Sequence, residues 1–476
     1  MKKIFLLLLL IVSSVKIIAH PWKPNHYVII DSDGGTDDLK AISLLLASPD
    51  VRVLAIIASP GAVDAETAYI KIKSMLNSYW HEGVPVGINR QCTFRSPMFE
   101  LAADYKWGEE SGANSADAPD YLSLLRDIFK YEKTKISFIC LGGLTTAANA
   151  MKEIPEFSTS VKEIIWSCAG LKDKKGFNYM VDGSSASLVL SGKIPVNAVH
   201  RNSDYHFYDA EFISRLDSSG TCYAKKILEF QNHPQVKSHD FSALITDELV
   251  PLFLHFPDAF ESTGKGTNFD CTPLMWPRLK DGYIRIISGA TVMKNQVIKS
   301  FPEDPSFYFP DVEPFVTEII RKYGESEWSS GVLANELHRH LGVFAIIGVK
   351  MGIRAREYFD TGVDEFRATS FAGSEPPLSC MNDGLQVSTG ATPGHGLLTV
   401  VNDSVRGPVA EFSYMNHRIR LSLNKDIAST IGNELKEINF VYGLDSNIYW
   451  ELVRKNTLKY WKDLDRHNIF IIDVLK

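Results

Sequence analysis

The chain has 476 residues, of which 45% are hydrophobic and 22% charged, and its formal net charge is −7. This is an ordinary globular composition with ample core, and the length predicts more than one domain. The acidic balance argues against a protein that binds nucleic acid.

The N-terminal residues 1–19 have the pattern of an export signal. They begin with Lys2 and Lys3, continue with an apolar run and end at the small Ala19. The run is too short to span a membrane, so it predicts a Sec-type signal peptide and a periplasmic or secreted protein. Its removal, which includes Lys16, takes the formal charge from −7 to −10. No other stretch is long and apolar enough to predict a membrane span.

The first predicted strand, turn and helix carry a cluster of acidic residues. Residues 27–30 have the apolar β-branched character of a buried strand, and apolar residues recur at helical spacing over 39–47. Between these segments lie four carboxylates, hinged by Gly34 and Gly35, at Asp31, Asp33, Asp37 and Asp38. Like charges so close together need a cation or protons to neutralise them, and an all-oxygen set favours Ca²⁺ or Mg²⁺ over zinc.

Two other interpretations of this cluster stay open. Aspartate is favoured at helix N-caps and in first turns, which would account for Asp37 or Asp38 alone but not for the pair on the strand side. The loop also has some similarity to the DxDGT nucleophile loop of phosphatases, which the extra glycine and the Asp37–Asp38 doublet fit poorly. A metal or catalytic site is therefore the favoured prediction.

The rest of the N-terminal half alternates between strand-like and helical patterns. Strand-like runs recur at residues 27–30, 51–58, 136–141, 163–168 and 195–199. This alternation predicts an α/β fold with an open, mostly parallel sheet. The turn at Gly142 and Gly143 would let backbone carbonyls approach a ligand, although an ordinary strand-to-helix turn has the same pattern.

Five motifs, in this order, resemble the inosine–uridine nucleoside hydrolase family over roughly residues 26–324. They are the first strand with DSDGGTDD, then VLAIIASPGAV, LGGLTTAANAM, GFNYMVDGSSASLVLSGKIPV and ITDELVPLFL. The resemblance implies a sheet of nucleoside-hydrolase type. It also implies calcium-dependent hydrolysis of the N-glycosidic bond in a nucleoside or a related ribosyl compound.

The same resemblance assigns roles to individual residues. The implied calcium ligands are Asp33, Asp38, the main-chain carbonyl of Leu141 and Asp247. Asp33 is also the implied base, which activates a metal-bound water. The implied substrate-binding residues are Asp37, Asn178 and Asp247. Asp31 would support the loop from behind.

Several positions depart from the family pattern, and they concern the substrate. Gly176 stands where the family typically has glutamate, and Ala62 where it usually has asparagine. Thr246 stands where many members have a histidine that donates a proton to the leaving base, and a hydroxyl is not a useful acid near neutral pH. His239, in a polar loop, could supply that proton, although a solvated loop histidine is the simpler interpretation.

The C-terminal part resembles the FmdE-like domain, named for a subunit of formylmethanofuran dehydrogenase. The resemblance lies in HRHLGVF, GVKMG and SCMNDGLQVSTGATPGHG, over roughly residues 325–430, and implies a second, smaller α+β domain. His338, His340 and Cys380 would suit a transition metal, with zinc the first expectation. Gly342 replaces the first cysteine of the family pattern, and a histidine pair on a helix surface that binds nothing is the alternative.

The predicted organisation is a signal peptide (1–19), a nucleoside-hydrolase-like domain (26–324) and an FmdE-like metal-binding domain (325–476). The favoured function is N-glycosidic hydrolysis of a small nucleoside-like substrate, and a homo-oligomer stays open. One alternative is a non-catalytic protein that binds ribosyl ligands at a degenerate site. Another places the function in the C-terminal transition-metal domain.

Overall fold

The computed structural model of the protein describes two compact units. The described residues are 24–91, 99–109, 111–169, 171, 174, 176–200, 205–237, 244–263, 268–289, 297–298, 300–402 and 406–475. The first unit comprises Pro24–Met293 with Arg354–Gly362, and the second comprises Lys294–Ile353 with Val363–Lys476. The predicted signal peptide lies outside the described residues, and the domain boundary expected at 324/325 stays a prediction.

The first unit is built on a sheet of eight strands. They are β1 (His26–Ser32), β2 (Val51–Ala58), β3 (Val86–Ile88), β4 (Ile136–Cys140), β5 (Val161–Ser167), β6 (Val196–His200), β7 (Phe260–Thr263) and β8 (Asn268–Cys271). Their order is β3-β2-β1-β4-β5-β6-β8-β7. Neighbouring strands are parallel except β7 and β8. The predicted α/β fold with a mostly parallel open sheet is confirmed.

The central strands are buried on both faces. All eight residues of β2 and the last five of β1 are buried, which is why both strands appear in the sequence as continuous apolar runs rather than alternating patterns. The three-residue β3 has no such signal, because it is too short to produce a pattern. The strong patterns therefore mark the middle of the sheet.

Helices cover the sheet of the first unit. They are α1 (Thr36–Ala47), α2 (Ala65–Ser78), α3 (Glu100–Asp104), α4 (Tyr121–Tyr131), α5 (Thr145–Glu153), α6 (Phe157–Ser160), α7 (Phe177–Val181), α8 (Gly183–Leu190), α9 (Ala210–Ser218), α10 (Cys222–Gln231), α11 (Pro234–Lys237), α12 (Leu249–His255) and α13 (Trp276–Ile287). Helix α1 is buried from Asp38 to its end, including Lys40. It is therefore a core helix, and its charged residues need partners.

The strand order creates a switch point beside β1. The chain runs from β1 to β2 and β3 on one side and then crosses to β4 on the other side. Ligands in open α/β sheets bind outside the carboxyl ends of strands at such a point. Asp31 of β1 pairs in register with Cys140 of β4, so the loops that follow these two strands begin side by side.

The second unit has a smaller sheet and its own core. Its strands are β9 (Arg367–Ser370), β10 (Leu398–Val400), β11 (Val409–Tyr414), β12 (His417–Leu423) and β13 (Phe470–Leu475), in the order β10-β9-β11-β12-β13. Its helices are α14 (Glu313–Tyr323), α15 (Glu325–His338), most of α16 (Val343–Phe359), α17 (Met381–Thr389), α18 (Lys425–Tyr442) and α19 (Asn447–Asp463). The predicted smaller α+β domain is confirmed. Throughout the described residues, no helix is both long enough and apolar enough to cross a bilayer.

Candidate active site

The acidic cluster predicted from the sequence lies at the switch point of the large sheet. Asp31 is the next-to-last residue of β1 and Asp33 follows the strand, whereas Asp37 and Asp38 lie in the first turn of α1. Leu141 follows β4, the parallel neighbour of β1. The carboxyl ends of adjacent parallel strands therefore bring these groups to one edge of the sheet.

Gly35 lets three carboxylates converge. A Cβ atom at this position would lie 2.8 Å from Oδ1 of Asp37, 3.1 Å from Oδ1 of Asp38 and 3.4 Å from Oδ1 of Asp33. Any side chain here would therefore fill the space between the carboxylates. Gly34 has a φ of 77°, which glycine adopts without strain and which turns the chain towards α1.

Asp247 adds a fourth carboxylate from the loop before α12. One oxygen each of Asp37, Asp38 and Asp247 lies within 4.8 Å of the other two, and Asp247 accepts a 2.5 Å hydrogen bond from Ser167 Oγ. The structure thus brings together Asp38 and Asp247, both predicted calcium ligands. It adds Asp37, which the sequence had assigned to substrate, to the same group.

Burial and mutual repulsion raise the pKa values of these carboxyls. Burial raises the pKa of Asp31 to about 7 and that of Asp38 to about 6. The pKa of Asp33 is raised well above its usual value by burial and by the charges of Asp38 and Asp37. Burial and the same two charges raise the pKa of Asp247. Such a set retains protons unless a cation replaces them.

Asp33 is enclosed by two further glycines. A Cβ at Gly61 would lie 2.2 Å from Oδ2 of Asp33, and a Cβ at Gly142 would lie 3.1 Å from the same oxygen. Asp31, behind the loop, is completely buried and accepts a 2.8 Å hydrogen bond from Thr146 Oγ1. The surroundings of Asp31 are those expected of a supporting residue.

Asn178 links the ends of two central strands. Its side-chain nitrogen donates to the carbonyl oxygens of Leu141, at 2.5 Å, and Ser167, at 2.8 Å. A carbonyl oxygen has two lone pairs, so Leu141 can accept this bond and still contact a cation. Asn178 lines the cavity beside the carboxylates, and its positioning contacts were not visible in the sequence.

The structure shows the surroundings of two of the three departures from the family pattern, Gly176 and Thr246. A Cβ at Gly176 would lie 1.7 Å from the carbonyl oxygen of Ala169, so this backbone excludes the glutamate expected there. The hydroxyl of Thr246 donates to Oδ2 of Asp37 at 3.0 Å and so orients that carboxylate. The alternative proton donor, His239, lies outside the described residues.

The carboxylates open into a cavity of about 570 Å³. Much of its lining is apolar, including Phe99 and Phe177, whose ring centroids are 5.2 Å apart in an edge-to-face contact. Other lining residues are Lys40, Ala62, Leu101, Ala102, Val199, His200, Phe230 and Leu244. Polar groups at one place in a mostly apolar cavity suit a ligand with a hydroxylated part and a planar part. No pattern in the sequence pointed to Phe99, because its neighbourhood has no periodicity.

The donor set fits a hard divalent cation. Within the described chain, the group of ligating side chains that converge within 4.8 Å consists of carboxylates alone. Asp33, Asp38 and Asp247 are at most 5% exposed, so water cannot neutralise their repulsion. Oxygen donors of this kind suit Ca²⁺ or Mg²⁺ rather than zinc.

The histidine pair of the second unit forms a separate cluster. The rings of His338 and His340 are 4.1 Å apart, and Nδ1 of His338 lies 2.8 Å from Oδ2 of Asp383. A Cβ at Gly342 would lie 3.3 Å from Nε2 of His338 and 3.6 Å from Nε2 of His340. Nε2 of His338 is buried and has no hydrogen-bond partner in the described structure. Both nitrogens therefore line the space beside Gly342.

Cys380, the third predicted ligand of this cluster, is buried. Its pKa is raised to about 11 by burial and by the charge of Asp383. Among the described residues, Cys380 does not form a group with both histidines in which all ligand atoms lie within 4.8 Å of one another. Asp383, which fixes the ring of His338, is a contact that the sequence did not assign.

Known proteins resemble this chain in both of its parts. The family model described as inosine-uridine preferring nucleoside hydrolase matches residues 28–297. The model described as FmdE, molybdenum formylmethanofuran dehydrogenase operon, matches residues 337–439.

Curated relatives match the first of these parts. The pyrimidine-specific ribonucleoside hydrolase RihA of Salmonella enteritidis is 24% identical over 254 residues, which is 49% of this chain and 80% of the relative. The inosine-uridine preferring nucleoside hydrolase of Leishmania major is 25% identical over 249 residues, or 48% of this chain and 79% of the relative. A solved purine-preferring ribonucleoside hydrolase from Gardnerella vaginalis has 17% identity and a TM-score of 0.46, covering 56% of this chain and 98% of that one.

Proposed function

The chain belongs to the inosine-uridine preferring nucleoside hydrolase family, and from this premise we propose that it hydrolyses the N-glycosidic bond of a nucleoside or related ribosyl compound in a calcium-dependent reaction. As a member of this family it is a nucleoside hydrolase-like enzyme. The observation that supports the calcium-dependent reaction is the convergence of Asp33, Asp37 and Asp38 around Gly35.

In the proposed site, Asp33, Asp38, Asp247 and the Leu141 carbonyl hold the cation. A bound calcium ion would lower the pKa of a water molecule and orient the sugar diol. Asp33 takes the proton of the attacking water. It is packed between Gly61 and Gly142 beside the other carboxylates, so it would lie next to a water held by the cation.

The sugar is held by residues beside this base. Asp37, oriented by the hydroxyl of Thr246, and the side-chain oxygen of Asn178 accept hydrogen bonds from ribose hydroxyls. The planar part of the substrate extends along the apolar lining, where Phe99 and Phe177 lie. Because Gly176 offers no side chain and Ala62, which lines the cavity, offers no polar side chain, this site lacks two of the substrate contacts that the family pattern implies.

The experiment is a comparison of inosine, uridine and p-nitrophenyl β-D-riboside with calcium and with a chelator. We expect calcium-dependent release of ribose, and a loss of about 10²–10⁴-fold in Asp33→Asn, as for other general bases. Asp127→Asn, on the exposed face of α4, is the matched control and should keep full activity. Hydrolysis that persists in chelator would contradict the proposed role of calcium.

A second candidate is a non-catalytic protein that binds ribosyl compounds. It is favoured by the backbone of Ala169, which excludes a side chain at Gly176, and by the threonine at 246. If none of the three compounds is cleaved at any pH while calorimetry detects ribose or nucleoside binding, this function replaces hydrolysis.

For the second unit we propose a transition-metal site, with zinc the first choice. The observation is the pair of Nε2 atoms of His338 and His340 beside Gly342, together with the carboxylate of Asp383 on Nδ1 of His338. Histidines that bind a metal through one ring nitrogen typically donate a hydrogen bond from the other ring nitrogen to a carboxylate. Cys380 stays the predicted third ligand, although in the described structure it does not lie within 4.8 Å of both histidines as one group; its thiol would have to lose its proton on binding.

We also propose that the protein is exported, on the basis of residues 1–19. The N-terminal sequence of protein recovered from the periplasm or medium should then begin after Ala19.

A further inference from the structure

Lys40 is a buried cation at the wall of the active-site cavity. It lies on α1, two residues after Asp38, is 5% exposed and lines the cavity. Its ammonium nitrogen is 2.7 Å from Oε1 of Glu248. It also lies 4.9 Å from the ring centroid of Tyr208 and 5.9 Å from that of Phe230, another lining residue.

The ammonium has unused hydrogen-bonding capacity. A lysine ammonium has three N–H donors and no acceptor. Among the described residues, the charged partner of Lys40 is Glu248, in an ion pair through a single carboxylate oxygen. Two donors therefore remain on a buried cation that borders the cavity, and a buried donor without a partner is costly unless a ligand or water accepts from it.

A network behind the cavity wall fixes the partner of Lys40. Glu248 is completely buried. Its Oε1 accepts a 2.5 Å hydrogen bond from the hydroxyl of Tyr208, which is 2.9 Å from the hydroxyl of Tyr283. Its Oε2 accepts from the backbone nitrogen of Thr246 at 3.2 Å. The carboxylate is thus held in place and in turn holds the ammonium beside Thr246.

The leaving group has no assigned polar partner in the proposed site, and Lys40 is the buried lysine among the described residues that line the cavity. Thr246 stands where a proton donor was expected, and its hydroxyl is already bound to Asp37. We propose that the Lys40 ammonium contacts the departing base and stabilises its negative charge by hydrogen bonding. This inference rests on the proposed hydrolase function. It implies a preference for bases with carbonyl oxygens, such as hypoxanthine and uracil, since an ammonium can only donate.

The step is balanced without any further reactant. The bond between the anomeric carbon and the base nitrogen breaks, and its electron pair stays on the base, next to Lys40. Water adds to the anomeric carbon and gives its proton to Asp33. The base then takes a proton from solvent as it leaves, and Asp33 releases the proton of the water to solvent, which restores its carboxylate. A fixed charge that is itself buried, as Lys40 is, is most effective where charge develops in the transition state.

The test removes the Lys40 ammonium together with its ion-pair partner, Glu248. Lys40→Met alone would leave a buried, unpaired Glu248 and would destabilise the fold, so the variant is Lys40→Met/Glu248→Gln. We expect kcat/KM for inosine and uridine to fall by about 10²–10³-fold, the usual effect of losing one such donor. p-Nitrophenyl β-D-riboside, whose leaving group stabilises its own charge, should be affected far less. Tyr283→Phe alters the same network away from the cavity and should leave the ratio between substrates unchanged.

The outcomes separate this inference from the proposed function. Equal losses for all three substrates, or no loss for any, would overturn the role of Lys40 while the hydrolase function stands. If the unmodified protein cleaves none of them, the proposed function fails, and the role of Lys40 fails with it. Calcium binding by calorimetry, which should be unchanged in the double variant, shows that the site is still folded.

Discussion

At the scale of single residues, glycines decide how closely the charged groups approach. Side chains at Gly35, Gly61 or Gly142 would occupy space that now belongs to carboxylate oxygens of the cluster. Carboxylates packed in this way repel one another, and burial adds to the cost of their charges. Removing one carboxylate should therefore weaken cation binding strongly and change the free energy of unfolding much less.

Asp38→Ala and Asp247→Ala should abolish calcium binding. Each removes one of the converging carboxylates, and a hard cation depends on the number of oxygen ligands. Isothermal titration calorimetry measures the effect, with Asp127→Asn as the unaffected control. Asp31→Ala, behind the loop, should weaken binding less. Calcium bound equally well by Asp38→Ala would rule out the proposed ligand set.

Asn178→Asp should destabilise the protein and lower its activity. The amide nitrogen of Asn178 donates to two carbonyl oxygens, of Leu141 and Ser167, whereas a carboxylate would face both without a donor. We expect a loss of about 1–3 kcal/mol in the free energy of unfolding, measured by denaturant titration. Asn114→Asp, at an exposed helix cap, is the matched control. An unchanged stability would mean that the amide does not hold the strand ends.

At the scale of elements, the second unit brings a helix end and a helix start together. His338 ends α15, His340 lies in the loop before α16, and Asp383 lies in the first turn of α17. Arg339 between the histidines has a φ of 69°, a left-handed conformation that ends the helix. The turn thus places two imidazoles against each other, and α17 supplies the carboxylate that orients one of them.

Asp383→Asn should weaken zinc binding by the second unit about 10–100-fold, the usual effect of losing the partner of a ligating histidine. Competition with a chromophoric chelator measures this affinity. His338→Ala should abolish binding, whereas His395→Ala, which removes a histidine paired with a different carboxylate, Asp364, should not. Zinc bound by His338→Ala as tightly as by the unmodified chain would rule out the proposed site.

At the scale of the whole molecule, the strand order of the large sheet assembles the site. The chain leaves β1 in one direction and returns on its other side through β4, so residues more than one hundred positions apart meet at one edge. The same assembly concentrates buried negative charge. The stability of the protein should therefore depend on pH and on calcium together.

Without divalent cations, the free energy of unfolding should fall as the pH rises from about 4 to about 7. Asp31 and Asp38 have pKa values raised from 3.8 to about 7 and about 6. The folded state therefore binds more protons than the unfolded state across this window, and stability decreases with pH. The decrease should be on the order of a few kcal/mol.

Thermal unfolding in chelator and in excess calcium, at both ends of this range, measures the effect. Calcium replaces the protons, so it should restore most of the lost stability near pH 7 and have little effect near pH 4. A calcium effect that is the same at both ends would contradict the assignment of the cation to these carboxyls.

The sequence by itself determined the parts of this protein that depend on local pattern. Apolar runs such as residues 51–58 identify buried parallel strands, because both faces of the sheet are covered. The glycine-hinged aspartates identify a polar loop at a strand end, and the histidine pair identifies a second cluster. Local spacing is sufficient here, since these groups are close together in the chain.

Only the tertiary structure decided which distant groups meet. Lys40 appears in the sequence as one charge within an apolar helix, and its partner Glu248 is more than two hundred residues away. Asn178 reaches Leu141 and Ser167 because β4 and β5 are neighbours. The exclusion of a side chain at Gly176 depends on the path of Ala169. Such contacts follow from the order of strands and the packing of loops, which no local pattern records.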